Sequence, residues 1–384
     1  MFLIKFKLNR SFLLLFLGVL LFPVVIGAQS QVPWWLRLEQ GKNLFRSGAY
    51  GSALIAFEDA RQGRINHFTR MEHDMITLLS LPDVRLIGDS LDIIEVFIES
   101  RYETRAASAL SDLYHRVPRA SLNGSASRAL SEMGRLKPYP EAEFWIGETY
   151  RVEGELSLAL RQYEKAWQER ALLEIPAFEV EILYRIADIH RIRQDYQDME
   201  RRLREIITGL GPTGEHRDMF WADNSMIQIR SAMIRVMENE GIDRFLTLYR
   251  YENPYTERAH RLLGSFSYTS GRYTSAVEHL LFSFLIQSTV LINEAIGMEF
   301  DFTYTNLAML FDFISSRSDL RALTEEMEYF RTLSFLASSL QATGRTRPAG
   351  ELWSFLASRP EAGVWGARAR SSPIPIIDTP IEMP

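Results

Sequence analysis

The chain has 384 residues, of which 46% are hydrophobic and 24% charged, and its formal net charge is −6 at pH 7. This length allows two or three globular domains or one long solenoid. The absence of cysteine excludes disulfides, thiolate metal sites and cysteine catalysis. The absence of a basic excess argues against nucleic acid as a partner.

The N-terminus has the layout of a secretory signal peptide. Three basic residues stand in the first ten positions, an apolar run covers residues 12–26, and Ala28 ends a small-residue pair suited to cleavage. The apolar run is shorter than the ~20 residues that a membrane span usually needs. We predict a cleaved signal peptide over residues 1–28, a periplasmic or secreted protein, and no membrane span after cleavage. An uncleaved anchor is the alternative, and lipid attachment is excluded because no cysteine follows the run.

Five later segments share the spacing of two helices joined by a short turn. In each segment, small residues recur where the two helices would cross, and larger residues stand one turn away. Antiparallel helices can approach closely only if the crossing positions carry small side chains. The predicted packing positions are Gly41, Ala53, Gly147, Ala159, Ala187, Gly264, Ala276, Ala337 and Ala349. The third copy, at Ala187, is the weakest, and helical pairs with less distinct marks lie between the clear copies.

These segments resemble the tetratricopeptide repeat, a helix–turn–helix unit of about 34 residues. The resemblance implies an all-α, right-handed superhelix, or α-solenoid, of antiparallel helix pairs. No segment shows the alternation that strands need. We predict an N-terminal array over residues 29–208, a C-terminal array over 215–360 and a proline-rich extended tail over 361–384, with a glycine-rich loop between the arrays.

In the tetratricopeptide family, the first helix of each pair lines a concave groove, and the resemblance places a partner-binding groove here too. The implied groove residues are Phe144, Glu148, Arg151, Tyr184, Asp188, Arg191, Arg261 and Tyr268. Two adjacent repeats present the same triplet of aromatic, acid and arginine, and binding hot spots favour aromatic and arginine side chains. The later repeat, with Ser265 in its middle position, departs from that triplet. The alternative is that the arginines only pair with the neighbouring acids as solvated surface charges.

One short stretch suggests catalysis. Glu99-Ser100 resembles the start of the lytic transglycosylase signature, in which the glutamate is a general acid that acts on peptidoglycan. We predict that the residues after Ser108 continue a helix, and they lack the glycine-rich segment of that family. The seven histidines do not stand at a zinc-binding helical spacing, and no phosphate-cradling glycine loop is present. We expect no catalysis, no metal and no cofactor.

The sequence therefore predicts a periplasmic scaffold that binds an envelope protein or peptide in a concave groove. A degenerate lytic transglycosylase with Glu99 as general acid is the alternative from another class, and a self-associating structural array is a third. The sequence leaves the oligomeric state open.

Overall fold

The computed structural model describes residues 32–79, 134–209, 218–221 and 226–371. These ranges form helices and connecting turns and contain no strand, so the prediction of an all-α protein is confirmed. The chain divides into two compact units, Met1–Glu174 and Ile175–Pro384. The predicted signal peptide and residues 80–133, where the sequence predicts one of the less distinct helical pairs, lie outside the described residues.

Unit 1 contains two helical hairpins among its described residues. Its helices are α1 Trp34–Arg46, α2 Tyr50–Leu79, α3 Pro140–Val152 and α4 Leu156–Gln168, followed by a 3₁₀ turn at Arg170–Leu172. Pro140 occupies the first turn of α3, where its fixed φ suits a helix and its missing N–H is no loss. Helix α1 packs on α2, α3 packs on α4, and α2 also packs on α3. The buried side chains of Leu38, Phe57, Tyr139 and Ile146 hold the α1–α2–α3 core together.

Unit 2 contains the remaining helices. They are α5 Phe178–Ile192, α6 Tyr196–Thr208, α7 Ile227–Glu240, α8 Ile242–Leu248, α9 Pro254–Thr269, α10 Tyr273–Met298, α11 Leu307–Ser315, α12 Ser318–Glu326, α13 Tyr329–Ala342, α14 Thr346–Ser358 and α15 Gly363–Ser371. The three main hairpins are α5–α6, α9–α10 and α13–α14. The unit boundary precedes α5, whereas the sequence prediction put it at the loop after residue 208. The reason is that α6 packs on α9, with Tyr196 and Phe266 at a ring separation of 5.0 Å.

Helix α10 forms the centre of unit 2. It packs on α9 and on α13, and its buried residues point to all sides, among them Leu281, Phe284 and Leu291. Among the described helices it alone has the length and mean hydropathy, 1.5, of a membrane span. Because 72% of its apolar window is buried inside the protein, and core helices pass the same test, this resemblance to a span is weak evidence for a membrane.

The small residues of the hairpins lie where their helices cross. A Cβ atom added to Gly147 would lie 2.7 Å from the Tyr163 ring, and one added to Gly264 would lie 2.6 Å from Leu280. Gly41 approaches the Phe57 ring in the same way. The other predicted packing residues are buried, namely Ala53, Ala159, Ala187, Ala276, Ala337 and Ala349. Any larger side chain at the glycine crossings would force the helices apart.

The five hairpins also share one turn. The first helix of each ends in a residue of positive φ whose N–H donates three residues back, while the next N–H donates five residues back, which is the Schellman pattern. In unit 1, for example, Gly154 donates to the carbonyl of Arg151 at 3.1 Å and Glu155 to that of Tyr150 at 2.8 Å. The positive-φ residues of the five turns are Gly48, Gly154, Gln194, Gly271 and Gly344. Only the weakest repeat uses a residue other than glycine, with φ 62° at Gln194.

The C-terminal region differs from its prediction. Residues 361–384 were expected to be extended, but Pro360–Ala362 form a 3₁₀ turn and α15 continues to Ser371. The helix packs through Gly366, where an added Cβ would meet the carbonyl of Leu356 at 2.9 Å, and through Trp365, whose ring meets Phe335 edge-on. The prolines of this region stand only after residue 371, so they do not oppose the helix. Residues 372–384 lie outside the described residues.

Candidate functional site

A cavity of about 280 Å³ lies in unit 2 among α5, α9 and the start of α13. These are the first helices of three hairpins, which is where the tetratricopeptide resemblance placed a groove. Four arginines line it, namely Arg191, Arg258, Arg261 and Arg331. We call it the arginine cavity. Three carboxylates, Asp188, Glu326 and Glu328, border it as well. The cavity wall therefore carries more positive than negative side chains, between apolar residues such as Leu203 and Leu262.

Helix α5 forms one wall with the predicted triplet. Asp188 accepts from the guanidinium of Arg191 at 2.8 Å, three residues further on the same helix. Tyr184 is 6% exposed and its hydroxyl donates to the carbonyl of Tyr255 at 2.8 Å, so its ring is part of the packed wall. Burial raises the pKa of Tyr184, which keeps the phenol neutral. Arg258 lies over this ring at 4.7 Å from its centroid, a cation–π contact that orients the guanidinium.

Helix α9 forms the second wall, and Arg261 is its best-fixed side chain. Its Nε donates to Glu257 at 3.3 Å and one of its Nη atoms to Glu328. Glu257 is itself buried and accepts from Ser283 at 2.8 Å and Gln287 at 2.7 Å. Because Glu257 is held by Ser283 and Gln287, Arg261 has little freedom to leave the wall.

The start of α13 supplies Glu328 and Arg331. Glu328 has φ 52° and ψ 38°, a left-handed conformation that costs energy for a residue with a Cβ. Its carboxylate accepts from Arg331 at 3.3 Å as well as from Arg261. Burial lowers the pKa of Arg331 from its ordinary value. The Nε of Arg331 is buried without a hydrogen-bond partner within the described part of the chain.

The structure brings only some of the predicted groove residues together. Tyr184, Asp188, Arg191, Arg261 and Ser265 line the arginine cavity. Tyr268 does not: it is 9% exposed and its ring stacks on Phe335 at 4.8 Å, so it packs α9 against α13.

Sequence reasoning missed Arg258, Arg331 and Glu328. A signal for the first two was present, since each arginine precedes the first small residue of its repeat, Gly264 or Ala337, by the same six positions. Glu328 had no such signal, because its role depends on a left-handed backbone and on Arg261, which is distant in sequence.

The triplet of unit 1 has a different environment. Phe144 is 3% exposed and its ring lies 5.5 Å from that of Tyr163. Glu148, 4% exposed, accepts from the Tyr163 hydroxyl and from Arg151 at 2.9 Å. This hydrogen bond raises the pKa of Arg151. The pairing expected as the alternative to a groove is therefore present, although Glu148 is buried rather than solvated.

A second polar cluster lies in the core of unit 2, near the start of α10. The Nδ1 atoms of His260 and His279 are 3.1 Å apart, and the Nε2 of His260 is 3.2 Å from Asp218. All three residues are buried, and Trp221 stacks on His279 at 4.4 Å. Burial and then the neighbouring His260 hold the pKa of His279 well below its usual value. Within the described ranges no group of three His, Asp or Glu residues could hold a metal ion, and Glu99 lies outside them.

These features define an all-α protein of helical hairpins whose second unit carries the arginine cavity. No family model matches the chain. An uncharacterized protein of Treponema pallidum (strain Nichols) is 24% identical over 344 residues, which cover 89% of this chain and 89% of that protein. An uncharacterized protein of Borreliella burgdorferi (strain B31) is 21% identical over 215 residues, which cover 53% of this chain and 66% of that protein. The first similarity extends across both units.

Proposed function

We propose that this chain is an exported, tetratricopeptide-like scaffold that binds a protein or peptide of the cell envelope in the arginine cavity, without catalysing a reaction. In this proposal the hairpins stack as a right-handed superhelix, and the first helices of successive hairpins form its concave side. The observation that carries the proposal is the convergence of Arg191, Arg258 and Arg331 from three first helices on one cavity.

The chemistry of the cavity suits recognition. Arginine offers a planar fork of donors that matches carboxylates and backbone carbonyls. Arg258 has no ion pair in the described part of the chain and is held over Tyr184, so its donors remain available to a ligand. Tyr184 and Arg261 are already fixed by neighbours, so little side-chain entropy is lost when a partner binds.

A photo-crosslinking amino acid at Leu262, on the cavity wall, tests the proposal in the intact cell envelope. We expect a crosslink to one envelope protein, identified by mass spectrometry. Arg191→Ala with Arg258→Ala should weaken that binding by about 2 kcal/mol or more, or roughly thirtyfold, as hot-spot truncations do. The melting temperature should stay near that of the wild type. Tyr184→Ala is unsuited to this test because Tyr184 is buried and hydrogen-bonded.

The matched control places the same probe at Arg235, an exposed position on α7 outside the cavity wall. The paired control variant is Arg235→Ala with Arg244→Ala, which removes the same charge from α7 and α8. Equal crosslinking from both probe positions, or a crosslink from Leu262 that survives the loss of Arg191 and Arg258, would overturn the proposal.

A further inference from the structure

Glu328 is the second of two non-glycine residues with positive φ in the described ranges. The other, Gln194, takes the place of the glycine found in the four equivalent turns. Glu328 has no such explanation, since it stands between α12 and α13 rather than in a hairpin turn of that pattern. Strain of this kind persists only where the surrounding contacts hold it, and it concentrates at binding sites and switches.

The contacts that hold Glu328 are those of the arginine cavity. Its carboxylate joins Arg261 of α9 to Arg331 of α13, so one acid serves two guanidinium groups. The side chain is still 31% exposed, whereas those of Arg261 and Arg331 are each 13% exposed. The carboxylate therefore lies at the open side of the pair, where an external carboxylate would also arrive.

The cavity leaves part of its donor capacity unused. The Nε of Arg331 is buried without a partner in the described part of the chain, and Arg258 forms no ion pair there. Glu328 also borders a second cavity, of about 520 Å³, lined by Thr324, Tyr329 and Trp365. Arg331 lines that space as well, so the Glu328 side chain has room on this side when it leaves Arg261.

We propose that Glu328 is an internal occupant of the arginine cavity, and that an acidic segment of the partner binds by exchanging its own carboxylate for that of Glu328. This inference rests on the proposed function and names the ligand class of the same site. The volume of about 280 Å³ equals roughly nine water molecules at ~30 Å³ each, enough for an acidic side chain and too small for a folded element. A carboxylate is favoured over phosphate because the present occupant is a carboxylate held by the same two arginines.

Fluorescence anisotropy with a fluorescein-labelled pentaglutamate peptide tests the exchange, with pentaglutamine as the uncharged probe. Glu328→Gln keeps the size of the side chain but removes its charge. We expect it to bind pentaglutamate at least tenfold more tightly than the wild type, because the competitor is gone. Neither protein should bind pentaglutamine. Glu328→Gly, which also suits positive φ, should give the same gain and checks that the effect is independent of folding defects.

Glu326→Gln is the matched control, because Glu326 borders the same cavity and is exposed. It removes one negative charge without releasing Arg261, so its effect should stay within about twofold, as for a screened surface charge. An equal gain from Glu326→Gln, or no gain from Glu328→Gln and Glu328→Gly, would overturn the exchange. Stronger competition by inorganic phosphate than by acetate would overturn the assignment to a carboxylate.

The in-cell crosslink separates this inference from the proposed function. If the probe at Leu262 captures a partner whose yield is the same with Glu328→Gln as without it, the scaffold stands and the exchange is wrong. If the probe captures nothing while Glu328→Gln still tightens pentaglutamate binding, the exchange stands and the envelope-scaffold proposal is wrong.

Discussion

Both units contain the triplet of aromatic, acid and arginine, but the acid is buried in unit 1 and partly exposed in unit 2. In unit 1, Tyr163 stands opposite Gly147 and its hydroxyl donates to Glu148, which is thereby buried. In unit 2, the equivalent position is Leu203, which has no donor, and the acid is the shorter Asp188. The Asp188 side chain stays 27% exposed beside the arginine cavity, against 6% for Glu148.

The difference shows how one hydroxyl decides whether a polar pair packs the fold or faces a ligand. A buried carboxylate needs hydrogen bonds to offset its lost hydration. Tyr163 supplies one for Glu148, so the pair belongs to the interior of unit 1. Without such a donor, Asp188 remains where it reaches water or a ligand.

The largest expected effect is at the crossing that brings Tyr163 to Glu148. Gly147→Leu would place side-chain atoms inside the Tyr163 ring position and should destabilise unit 1 by about 1–3 kcal/mol. Urea unfolding, followed by hydrogen exchange of amides in unit 1, measures this loss of stability. Gly51→Leu, on α2 with nothing within 4 Å of an added Cβ, is the control and should unfold nearly as the wild type. Equal midpoints for both variants would contradict the close crossing.

The hydroxyl itself is tested by Tyr163→Phe. The variant removes a hydrogen-bond donor to the buried Glu148. It should lower the free energy of unfolding by about 1–3 kcal/mol, as for other buried polar groups that lose a partner. Thermal unfolding is the measurement. Tyr150→Phe, a half-buried tyrosine of α3, is the paired control and should change little. A neutral Tyr163→Phe would mean that the hydroxyl does not explain why unit 1 buries its acid.

One substitution in each unit tests whether the positive φ of the shared hairpin turn affects stability. Gln194→Gly relieves a left-handed backbone in unit 2 and should stabilise it by up to about 1 kcal/mol. Gly154→Ala creates the same strain in unit 1 and should cost a similar amount, with no steric clash because nothing lies within 4 Å. Chemical denaturation gives both values. Changes of the same sign in both variants would show that φ does not govern this turn.

The smallest effects are expected from pH, and they should have opposite signs in the two units. Burial raises the pKa of Glu169 in unit 1 to about 7, so its contribution to stability is greatest below its ordinary pKa and is lost as pH rises towards 7. In unit 2, burial lowers the pKa of His279. Below pH 6.5 this histidine is therefore protonated in the unfolded chain but stays neutral in the folded chain, which lowers the free energy of unfolding. Acidification should therefore favour the folded state of unit 1 at Glu169 and disfavour that of unit 2 at His279, while the lowered pKa of His67 acts against the gain in unit 1.

Hydrogen exchange read separately for the two units, at about pH 8 and about pH 5.5 after correction for intrinsic rates, checks these signs. Glu169→Gln should flatten the response of unit 1, and His279→Leu that of unit 2. Glu153→Gln, at an exposed position, should leave the response of unit 1 unchanged. A response of unit 1 that Glu169→Gln leaves unchanged, or a response of unit 2 that His279→Leu leaves unchanged, would contradict the assignment.

Local rules made much of the fold predictable. Gly147, Ala159 and the turn glycines report on crossings and chain reversals within one hairpin, and that information lies within some twenty residues of sequence. The site was only partly predictable. Asp188 and Arg191 follow from their register, but the bridge from Glu328 to Arg261 joins helices that are distant in sequence and depends on an unfavourable backbone angle. The boundary between the compact units differs from the predicted array boundary for a similar reason, since it depends on the packing of α6 on α9.

Helix α10 has a consequence for the order in which the chain is made. Phe284 and Ser288 on α10 are covered by Tyr329, which opens α13, at a ring separation of 6.0 Å and an oxygen–oxygen distance of 3.0 Å. A chain that has emerged only as far as α12 therefore leaves one side of its most apolar helix bare. A chain at this stage of synthesis is the most prone to aggregate, because exposed apolar surface drives misassembly. The α9–α10 hairpin therefore reaches its final packing only after α13 has been made.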